Sequence, residues 1–283
     1  MTHPDLPLPL VDAIVARALE EDLGAGDVTT EACVPADRQA TAKGVAREPM
    51  IACGAAVAGR VFTLVDPGLR FEQQVPDGRS VSAGTELFHV EGRARSVLMA
   101  ERVALNLVQR MCGVATMTRR YVDAVPEGAA TRITDTRKTT PGLRLLERYA
   151  VRMGGGHNHR NDLGSAVLIK DNHIVASGGV RAAIERARAR APHTSKIECE
   201  VDSLEQLDEA LAAGADIVLL DNMDTATVEE AVRLARGRAL LEASGGITLE
   251  RVAQRARAGV NANSVGALTH TTPAADVGQD FVA

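Results

Sequence analysis

The sequence of 283 residues has few aromatic side chains: no tryptophan, four phenylalanines and two tyrosines. Proteins that bind single-stranded nucleic acids use aromatic side chains as platforms on which bases stack. The net charge of −5 points the same way, because proteins that bind phosphate backbones are usually strongly basic. Both features argue against a nucleic-acid-binding function and indicate that the anions bound by this protein are small.

The sequence also lacks paired cysteines and long apolar runs. Its cysteines, Cys33, Cys53, Cys112 and Cys199, show no C-x-x-C spacing, so neither a zinc site nor a disulfide framework is indicated. We interpret them as reduced, buried thiols. No stretch approaches the length of a transmembrane helix, and the N-terminus lacks the basic region and apolar core of a signal peptide. The sequence is typical of a soluble cytoplasmic protein.

The first part of the chain predicts a small α+β region. Apolar residues recur at helical spacing until Gly24, and the polar residues 27–30 are expected to form a turn. Short alternating segments follow, with an alanine-rich helix over residues 55–65. Ser96 is expected to cap a long helix that extends to about Gly113 and beyond.

Beyond residue 126, strand patterns alternate with helical patterns, which is typical of parallel strands covered by helices. The predicted strands are 131–135, 166–169, 196–201, 216–220, 239–242 and 263–265. The predicted helices are 142–152, 178–190, 203–213, 224–236 and 248–258. This spacing suits the β-α units of a barrel. A dinucleotide-binding sheet is disfavoured, because no G-x-G-x-x-G sequence follows the first strand.

Residues 134–173 concentrate positive charge, with seven Lys or Arg and three His against four acidic residues. Five of these cations lie beside a strand end or a glycine-rich turn, where side chains converge: Arg137, Lys138, His159, Arg160 and Lys170. Three further arginines recur at helical spacing and are interpreted as an ordinary helix surface or a face toward another subunit: Arg144, Arg148 and Arg152. We interpret the first group as the anion-binding centre of an enzyme.

Polar residues end nearly every predicted barrel strand, which is where barrel enzymes place their chemistry. Glu198 and Glu200 alternate with apolar residues and therefore share one side of their strand. A single strand leaves open whether that side faces the barrel mouth or solvent. Asp221 ends a buried apolar run, and a carboxylate there usually has a partner or a function.

Two late strand ends carry glycine-rich turns. Ser244, Gly245 and Gly246 follow one strand, while Gly266 and Ala267 follow another. Backbone N–H groups in such turns bind phosphate at helix N-termini, and barrels often bind phosphate after their last strands. The sequence therefore predicts a phosphosugar at one end of the barrel mouth and a polyanionic second substrate at the other.

Several segments, in order along almost the whole chain, resemble the quinolinate phosphoribosyltransferases: E-E-D-L-G-A-G-D-V-T-T, A-E-R-V-A-L-N-L-V-Q-R, D-T-R-K-T-T-P-G, G-G-G-H-N-H-R, L-I-K-D-N-H-I, I-E-C-E-V, V-L-L-D-N-M, E-A-S-G-G-I and S-V-G-A-L-T-H. The resemblance implies Mg²⁺-dependent conversion of quinolinate and phosphoribosyl pyrophosphate to nicotinate mononucleotide, CO₂ and pyrophosphate in NAD biosynthesis. It also implies the fold class: an N-terminal α/β sandwich domain over residues 1–113, an incomplete TIM-like α/β barrel over 114–270, and a C-terminal segment, 271–283, returning toward the first domain.

The resemblance further implies roles for individual residues. Arg137, His159, Arg160 and Lys170 are expected to grip the two carboxylates of quinolinate, and Lys138 to reach substrate and pyrophosphate charge. Glu200 and Asp221 are expected to hold the ribose hydroxyls and the metal-bound diphosphate, and Lys138, Glu200 and Asp221 to be the catalytic residues. The remaining expected substrate-binding residues are Arg102, Thr136, Ser244, Gly245, Gly246, Gly266, Ala267 and His270.

On the same resemblance, Arg102 reaches the site of a second subunit, so the expected assembly is a homodimer with shared active sites or a hexamer built from three dimers. Two alternatives stay open: a relative that takes a monocarboxylate such as nicotinate or occurs beside molybdenum transport, and a non-catalytic anion-binding protein. The sequence N-A-N-S at residues 261–264 departs from the family pattern. Because asparagine is a poor strand former, we expect this strand to be less stable.

Overall fold

The computed structural model describes residues 6–282, so residues 1–5 of the predicted first domain and residue 283 of the C-terminal segment lie outside the described residues. The helices are α1 (Leu8–Leu23), α2 (Val28–Cys33), α3 (Ala55–Val65), α4 (Ala94–Asp123), α5 (Arg144–Met153), α6 (Asp171–Ser177), α7 (Val180–Arg190), α8 (Leu204–Ala212), α9 (Thr225–Ala235), α10 (Leu249–Ala258) and α11 (Ala267–His270). The strands are β1 (Gln39–Ala46), β2 (Met50–Ile51), β3 (Arg70–Gln73), β4 (Ser80–Val81), β5 (Glu86–Arg93), β6 (Arg132–Thr134), β7 (Val167–Ile169), β8 (Ile197–Val201), β9 (Ile217–Asp221), β10 (Leu240–Ser244), β11 (Ala262–Ser264) and β12 (Val277–Val282).

The chain divides into two compact units. Among the described residues, the first contains 6–119, 139–155 and 269–282, and the second contains 120–138 and 156–268. In the first unit, an antiparallel sheet has the strand order β12-β1-β5-β3, so the C-terminal strand pairs with β1. Phe62, Phe71 and Phe88 pack against one another beside this sheet, with ring centroids 5.3 to 6.1 Å apart.

Two details of the first unit differ from the sequence prediction. The expected polar turn at residues 27–30 is wrong, because Asp27 accepts the Thr30 amide at 2.9 Å and so caps the helix α2. Ser96 is not a helix cap, because α4 begins two residues earlier. The Ser96 hydroxyl instead donates to Asp66 at 2.7 Å.

The second unit is built on a parallel sheet of six strands in the order β6-β11-β10-β9-β8-β7. Each predicted strand matches an observed one within two residues, and so does each predicted helix of this region, whereas α6 and α11 were not predicted. These observations confirm the fold class, an incomplete α/β barrel accompanied by a separate N-terminal sheet.

The two faces of this sheet differ in chemistry. Cys199, Val218 and Leu241 occupy paired positions on neighbouring strands and lie in the buried core formed with α7, α8 and α9. Glu198, Glu200 and Glu242 alternate with these apolar residues along β8 and β10. Because successive strand residues point to opposite faces, the three carboxylates lie on the face away from the helices. This settles the orientation that the sequence left open.

The departure at residues 261–264 affects its two asparagines differently. The Asn261 side-chain oxygen accepts the Leu241 amide at 2.8 Å, so this residue supports the ladder to β10. Asn263 is fully buried in β11, between β10 and β6, and neither its side-chain nitrogen nor its oxygen has a hydrogen-bond partner among residues 6–282. The expected weakness of the strand is therefore confined to Asn263.

Two expectations from composition can be compared with the structure. All four cysteines are free; Cys53, Cys112 and Cys199 are buried as expected, but Cys33 is exposed. No helix within residues 6–282 is long and apolar enough to cross a membrane.

Candidate active site

His159, Glu198 and Glu242 form a compact, mostly buried cluster on the carboxylate-bearing face of the sheet. The ring Nε2 of His159 lies 3.2 Å from Glu198 Oε2 and 3.5 Å from Glu242 Oε1. Its Nδ1 accepts the backbone N–H of Arg160 at 2.7 Å. A nitrogen that accepts a hydrogen bond carries no proton. The ring proton therefore lies on Nε2, between the two carboxylates.

The cluster holds a proton near neutral pH. Burial raises the pKa of Glu242 to about 7, and the negative charge of Glu198 adds to the effect. For His159, burial opposes the charged form, but Glu198, Glu242 and Asp135 together raise its pKa. Since the Arg160 amide occupies Nδ1 and opposes a second ring proton, we assign the shared proton to Glu242.

Asp135 positions the backbone that carries this histidine. Its carboxylate is fully buried and accepts the backbone N–H of His159 at 2.7 Å and the side-chain amide of Asn158 at 2.6 Å. The same segment pairs with β6, because the His157 amide donates to the Ile133 carbonyl at 2.8 Å and the Asp135 amide donates to the His157 carbonyl at 3.1 Å. The loop after the triple glycine is thereby fixed as an additional edge of the sheet.

Lys170 and Glu200 form an ion pair at the ends of neighbouring parallel strands. The Lys170 Nζ lies 2.5 Å from Glu200 Oε2. The lysine side chain is 45% exposed and the glutamate 14%, so the pair can be reached from solvent. Its arrangement follows from the register of β7 and β8, which places Ile169 beside Cys199.

Two guanidinium groups lie close enough to repel each other. Burial and the charge of Arg137 lower the pKa of Arg160, whereas the charge of Glu198 opposes this shift. Arg160 also donates from Nη1 to the Ala166 carbonyl at 3.2 Å. An anion bound beside the two groups would offset this repulsion.

The turns after β9 and β10 are packed tightly against each other. Asn222 has a left-handed backbone with φ of 54°, and its amide donates to the Ser244 carbonyl at 3.2 Å. A Cβ atom added to Gly245, whose φ is 84°, would lie 2.1 Å from Asn222 Oδ1. Glycine is therefore required at position 245 both by backbone conformation and by space. Asp221 accepts from the Asn222 side-chain amide at 2.7 Å.

Comparison with known proteins identifies the family of this chain. The quinolinate phosphoribosyl transferase family models match over residues 27–112 for the N-terminal domain and over residues 114–280 for the C-terminal domain. The chain belongs to the quinolinate phosphoribosyltransferase family.

Individual relatives cover nearly the whole chain. A protein of Mycobacterium leprae named nicotinate-nucleotide pyrophosphorylase [carboxylating] is 48% identical over 273 residues, which are 94% of this chain and 95% of the relative. A tobacco protein, quinolinate phosphoribosyltransferase [decarboxylating] 1b, is 39% identical over an alignment that spans 97% of this chain and 82% of the tobacco protein. The crystal structure of NadC from Streptococcus pyogenes superposes with a TM-score of 0.94 at 40% identity, covering 99% of this chain and 100% of that one.

For this quinolinate phosphoribosyltransferase family member, the structure brings only some of the predicted site residues into contact. Lys170 contacts Glu200, while His159 and Arg160 share a hydrogen bond. The Thr136 hydroxyl accepts the amide of the exposed Lys138 at 3.1 Å. Other predicted residues lie at strand ends of the second unit: Asp221, Ser244, Gly245, Gly246, Gly266 and Ala267. Arg102 on α4 and His270 at the end of α11 belong to the first unit, and both are exposed.

Glu198 and Glu242, which enclose the His159 ring, were given no role in the predicted site of this family member, and Arg255, which is 1% exposed, was not considered. Strand alternation indicated that Glu198 and Glu200 share a face. The link between β8 and the histidine loop depends on sheet order, which a single sequence does not show.

Two groups of residues in this family member carry side chains of the kinds that bind metal ions. His159, Glu198 and Glu242 offer ligand atoms within 4.8 Å of one another, but the ring proton on Nε2 occupies the position from which the histidine would bind an ion. Glu200 and Asp221, predicted as magnesium ligands, offer carboxylate oxygens at neighbouring strand ends. Mg²⁺ is commonly held by one or two carboxylates together with substrate phosphates and water. The second group therefore fits Mg²⁺ better than the first.

Proposed function

We propose that this chain transfers the phosphoribosyl group of phosphoribosyl pyrophosphate to quinolinate, with loss of CO₂, and forms nicotinate mononucleotide and pyrophosphate in NAD biosynthesis. Family membership over nearly the whole chain supports the reaction. The structural observation that carries it is the solvent-reachable ion pair of Lys170 and Glu200, 2.5 Å apart at the ends of β7 and β8, which places a cation and a carboxylate side by side at one edge of the sheet. The charge of Arg137, which lowers the pKa of Arg160, adds positive charge that a dicarboxylate would offset better than a neutral or singly charged ligand.

The cationic residues would bind the acceptor. Arg137, Arg160 and Lys170 would pair with the two carboxylates of quinolinate, and Lys138 would reach both substrate and pyrophosphate charge. His159 has both ring nitrogens engaged within the protein, so a direct grip on substrate would require the ring to leave Glu198 and Glu242. In the observed orientation its contribution is to hold the amide of Arg160 in place.

A second group of residues would bind the donor substrate, phosphoribosyl pyrophosphate. Glu200 and Asp221 would accept hydrogen bonds from the ribose hydroxyls, and Thr136 and His270 would complete the substrate contacts. The turns would bind the 5′-phosphate through backbone N–H groups: Ser244, Gly245, Gly246, Gly266 and Ala267. Mg²⁺, held by Glu200, Asp221 and substrate oxygens, would supply positive charge to the diphosphate.

Departure of pyrophosphate leaves positive charge on the ribose carbon, and the carboxylates of Glu200 and Asp221 would stabilise that charge. The pyridine nitrogen of quinolinate then bonds to this carbon and becomes cationic. The C–C bond to the adjacent carboxylate breaks, CO₂ leaves, and the electron pair remains on the ring carbon beside the cationic nitrogen. Protonation of that carbon gives nicotinate mononucleotide. No covalent bond to the protein is required, so the buried cysteines have no part in the reaction.

The assembly would be a homodimer, or a hexamer of three dimers, in which Arg102 of one subunit completes the site of another. The exposed position of Arg102 on α4 is compatible with such a contact.

An assay with quinolinate and nicotinate in parallel tubes tests this function. With phosphoribosyl pyrophosphate and Mg²⁺, we expect nicotinate mononucleotide from quinolinate and none from nicotinate, and loss of product when a chelator removes Mg²⁺. Product from nicotinate alone would instead identify a monocarboxylate enzyme. Absence of product in both tubes would favour a binding protein.

A further inference from the structure

Arg255, on helix α10, is the largest fully buried side chain of the described residues, with 1% exposure. Its Nη2 donates to the Met223 carbonyl at 2.7 Å, while Nε and Nη1 have no hydrogen-bond partner within residues 6–282. Burying a guanidinium group with few partners is unfavourable. A residue retained under such conditions is expected to have a task that an apolar side chain could not perform.

The Met223 carbonyl belongs to the turn that carries Asp221. This turn joins β9 to α9, and its far end is fixed by Asp224, which accepts the Thr227 amide at 2.8 Å and so caps the helix. Asn222, between them, has the left-handed φ of 54°. The hydrogen bond from Arg255 holds the turn at Met223, directly after Asn222, whose left-handed backbone is uncommon for residues other than glycine.

The same turn supports the glycine-rich turn after β10. The Asn222 amide donates to the Ser244 carbonyl, and an added Cβ on Gly245 would lie 2.8 Å from the Asn222 backbone nitrogen and 2.1 Å from its Oδ1. Any shift of Asn222 would therefore displace Ser244 and Gly245 as well as Asp221. These contacts all lie within the second unit.

We propose that Arg255 is a positioning residue for the phosphoribosyl donor, which it serves by clamping the Met223 carbonyl and so holding Asp221 and the Ser244-Gly245 turn in one arrangement. This inference rests on the proposed function, in which Asp221 binds the ribose and the glycine turn binds the phosphate. The residues proposed to bind quinolinate are carried by other segments, near β6 and β7, so the clamp acts on one substrate only.

The test uses R255M, which keeps side-chain bulk but removes the donor, R255K, which keeps a cation, and R257M as a matched control at an exposed position of the same helix. For each variant we would measure KM for both substrates, kcat, the melting temperature and the calorimetric Kd for phosphoribosyl pyrophosphate. We expect R255M to raise KM and Kd for phosphoribosyl pyrophosphate by roughly tenfold or more, the scale of one lost charged hydrogen bond. KM for quinolinate should change by less than about twofold, within the scatter of mutational effects.

R255K is expected to show a smaller rise for phosphoribosyl pyrophosphate alone, and R257M no change for either substrate. If R255M does not fold, R255K serves as the test, because a rise in KM and Kd for phosphoribosyl pyrophosphate alone would support the positioning role of Arg255. Equal changes in both KM values, or a lower melting temperature with unchanged KM and Kd, would reduce Arg255 to a structural residue and overturn the proposal. The proposed function is contradicted by a different result, namely that wild-type protein and R257M both lack activity with quinolinate. In that case the calorimetric Kd still tests the role of Arg255, and absence of phosphoribosyl pyrophosphate binding would overturn that proposal as well.

Discussion

At the scale of single residues, Glu242 predicts a pH dependence of stability. Its pKa is about 7 when folded, against a usual 4.5. Between these values the folded protein keeps the proton and the unfolded chain loses it, so the free energy of unfolding falls as pH rises. E242Q has no carboxyl proton to lose. We therefore expect its free energy of unfolding, measured relative to that of wild type, to rise by about 3 kcal/mol between about pH 4.5 and 7.

Urea unfolding of both proteins across this pH range measures the effect. Parallel pH profiles for wild type and E242Q would show that Glu242 is ionised throughout the range and would contradict the assignment of the shared proton.

Replacing Asn263 by an apolar residue is expected to stabilise the protein. Its buried amide lacks partners, which costs about 1–3 kcal/mol for each unsatisfied polar group. We expect Asn263→Ile to raise the melting temperature and to leave turnover unchanged, because the residue lies on the helix-facing side of β11, at the positions of Ala243 and Ile133. Asn261→Ala is the matched comparison and should lower the melting temperature, since Asn261 accepts the Leu241 amide. A melting temperature unchanged or lowered in Asn263→Ile would contradict this account.

The sequence located Lys170 and Asp221 at strand ends because each closes an apolar run, and Glu200 because it alternates with apolar residues; both signals are local. It did not connect His159 with Glu242, because their contact joins a loop after β6 to the middle of β10. It also treated residues 261 and 263 alike, since the hydrogen-bond partners that distinguish the two asparagines come from a neighbouring strand.

At the scale of elements, a buried ion pair joins α4 to α5. Arg110 Nη2 lies 2.7 Å from the Oε1 of the fully buried Glu147, whose Oε2 accepts the Thr140 amide at 3.0 Å. Arg110 also donates to the carbonyls of Thr269 and Thr272, so one side chain fixes the start of α5 and the chain after α11.

Removing Glu147 would leave Arg110 without its main partner. We expect Glu147→Ala to lower the free energy of unfolding by about 3–5 kcal/mol, as for other broken buried pairs. Glu185→Ala is the control, because Glu185 forms an exposed pair with Arg181 at 4.0 Å on α7. Its effect in the same urea titration should stay within about 0.5 kcal/mol. A loss in Glu147→Ala as small as that of the control would contradict the role of this pair.

The elements that the sequence predicted well are the 11-residue helix α3 and the strands of the parallel sheet, which are short apolar or alternating segments separated by helical patterns. The missed helices α2, α6 and α11 have six, seven and four residues, too few for a helical period to be recognised. For α2 the decisive signal was the capping residue Asp27, which also favours turns when read without its hydrogen bond.

At the scale of the whole molecule, the proposed shared site predicts complementation between inactive variants. R102A and K170A would each be inactive as homodimers. After unfolding and refolding in equal mixture, half of the dimers would be hybrids with one intact site, so roughly a quarter of wild-type activity should return. Mixing two preparations of R102A is the control. Activity that stays at the level of the separate variants would contradict a site completed by Arg102 of another subunit.

The central claim is the coupling of phosphoribosyl transfer to decarboxylation of quinolinate. Its most direct measurement follows quinolinate labelled in the carboxylate beside the ring nitrogen, with phosphoribosyl pyrophosphate and Mg²⁺, and quantifies CO₂, nicotinate mononucleotide and pyrophosphate together. We expect the three products to appear in equal amounts and only when both substrates are present. Formation of pyrophosphate without labelled CO₂, or no turnover of quinolinate, would contradict it.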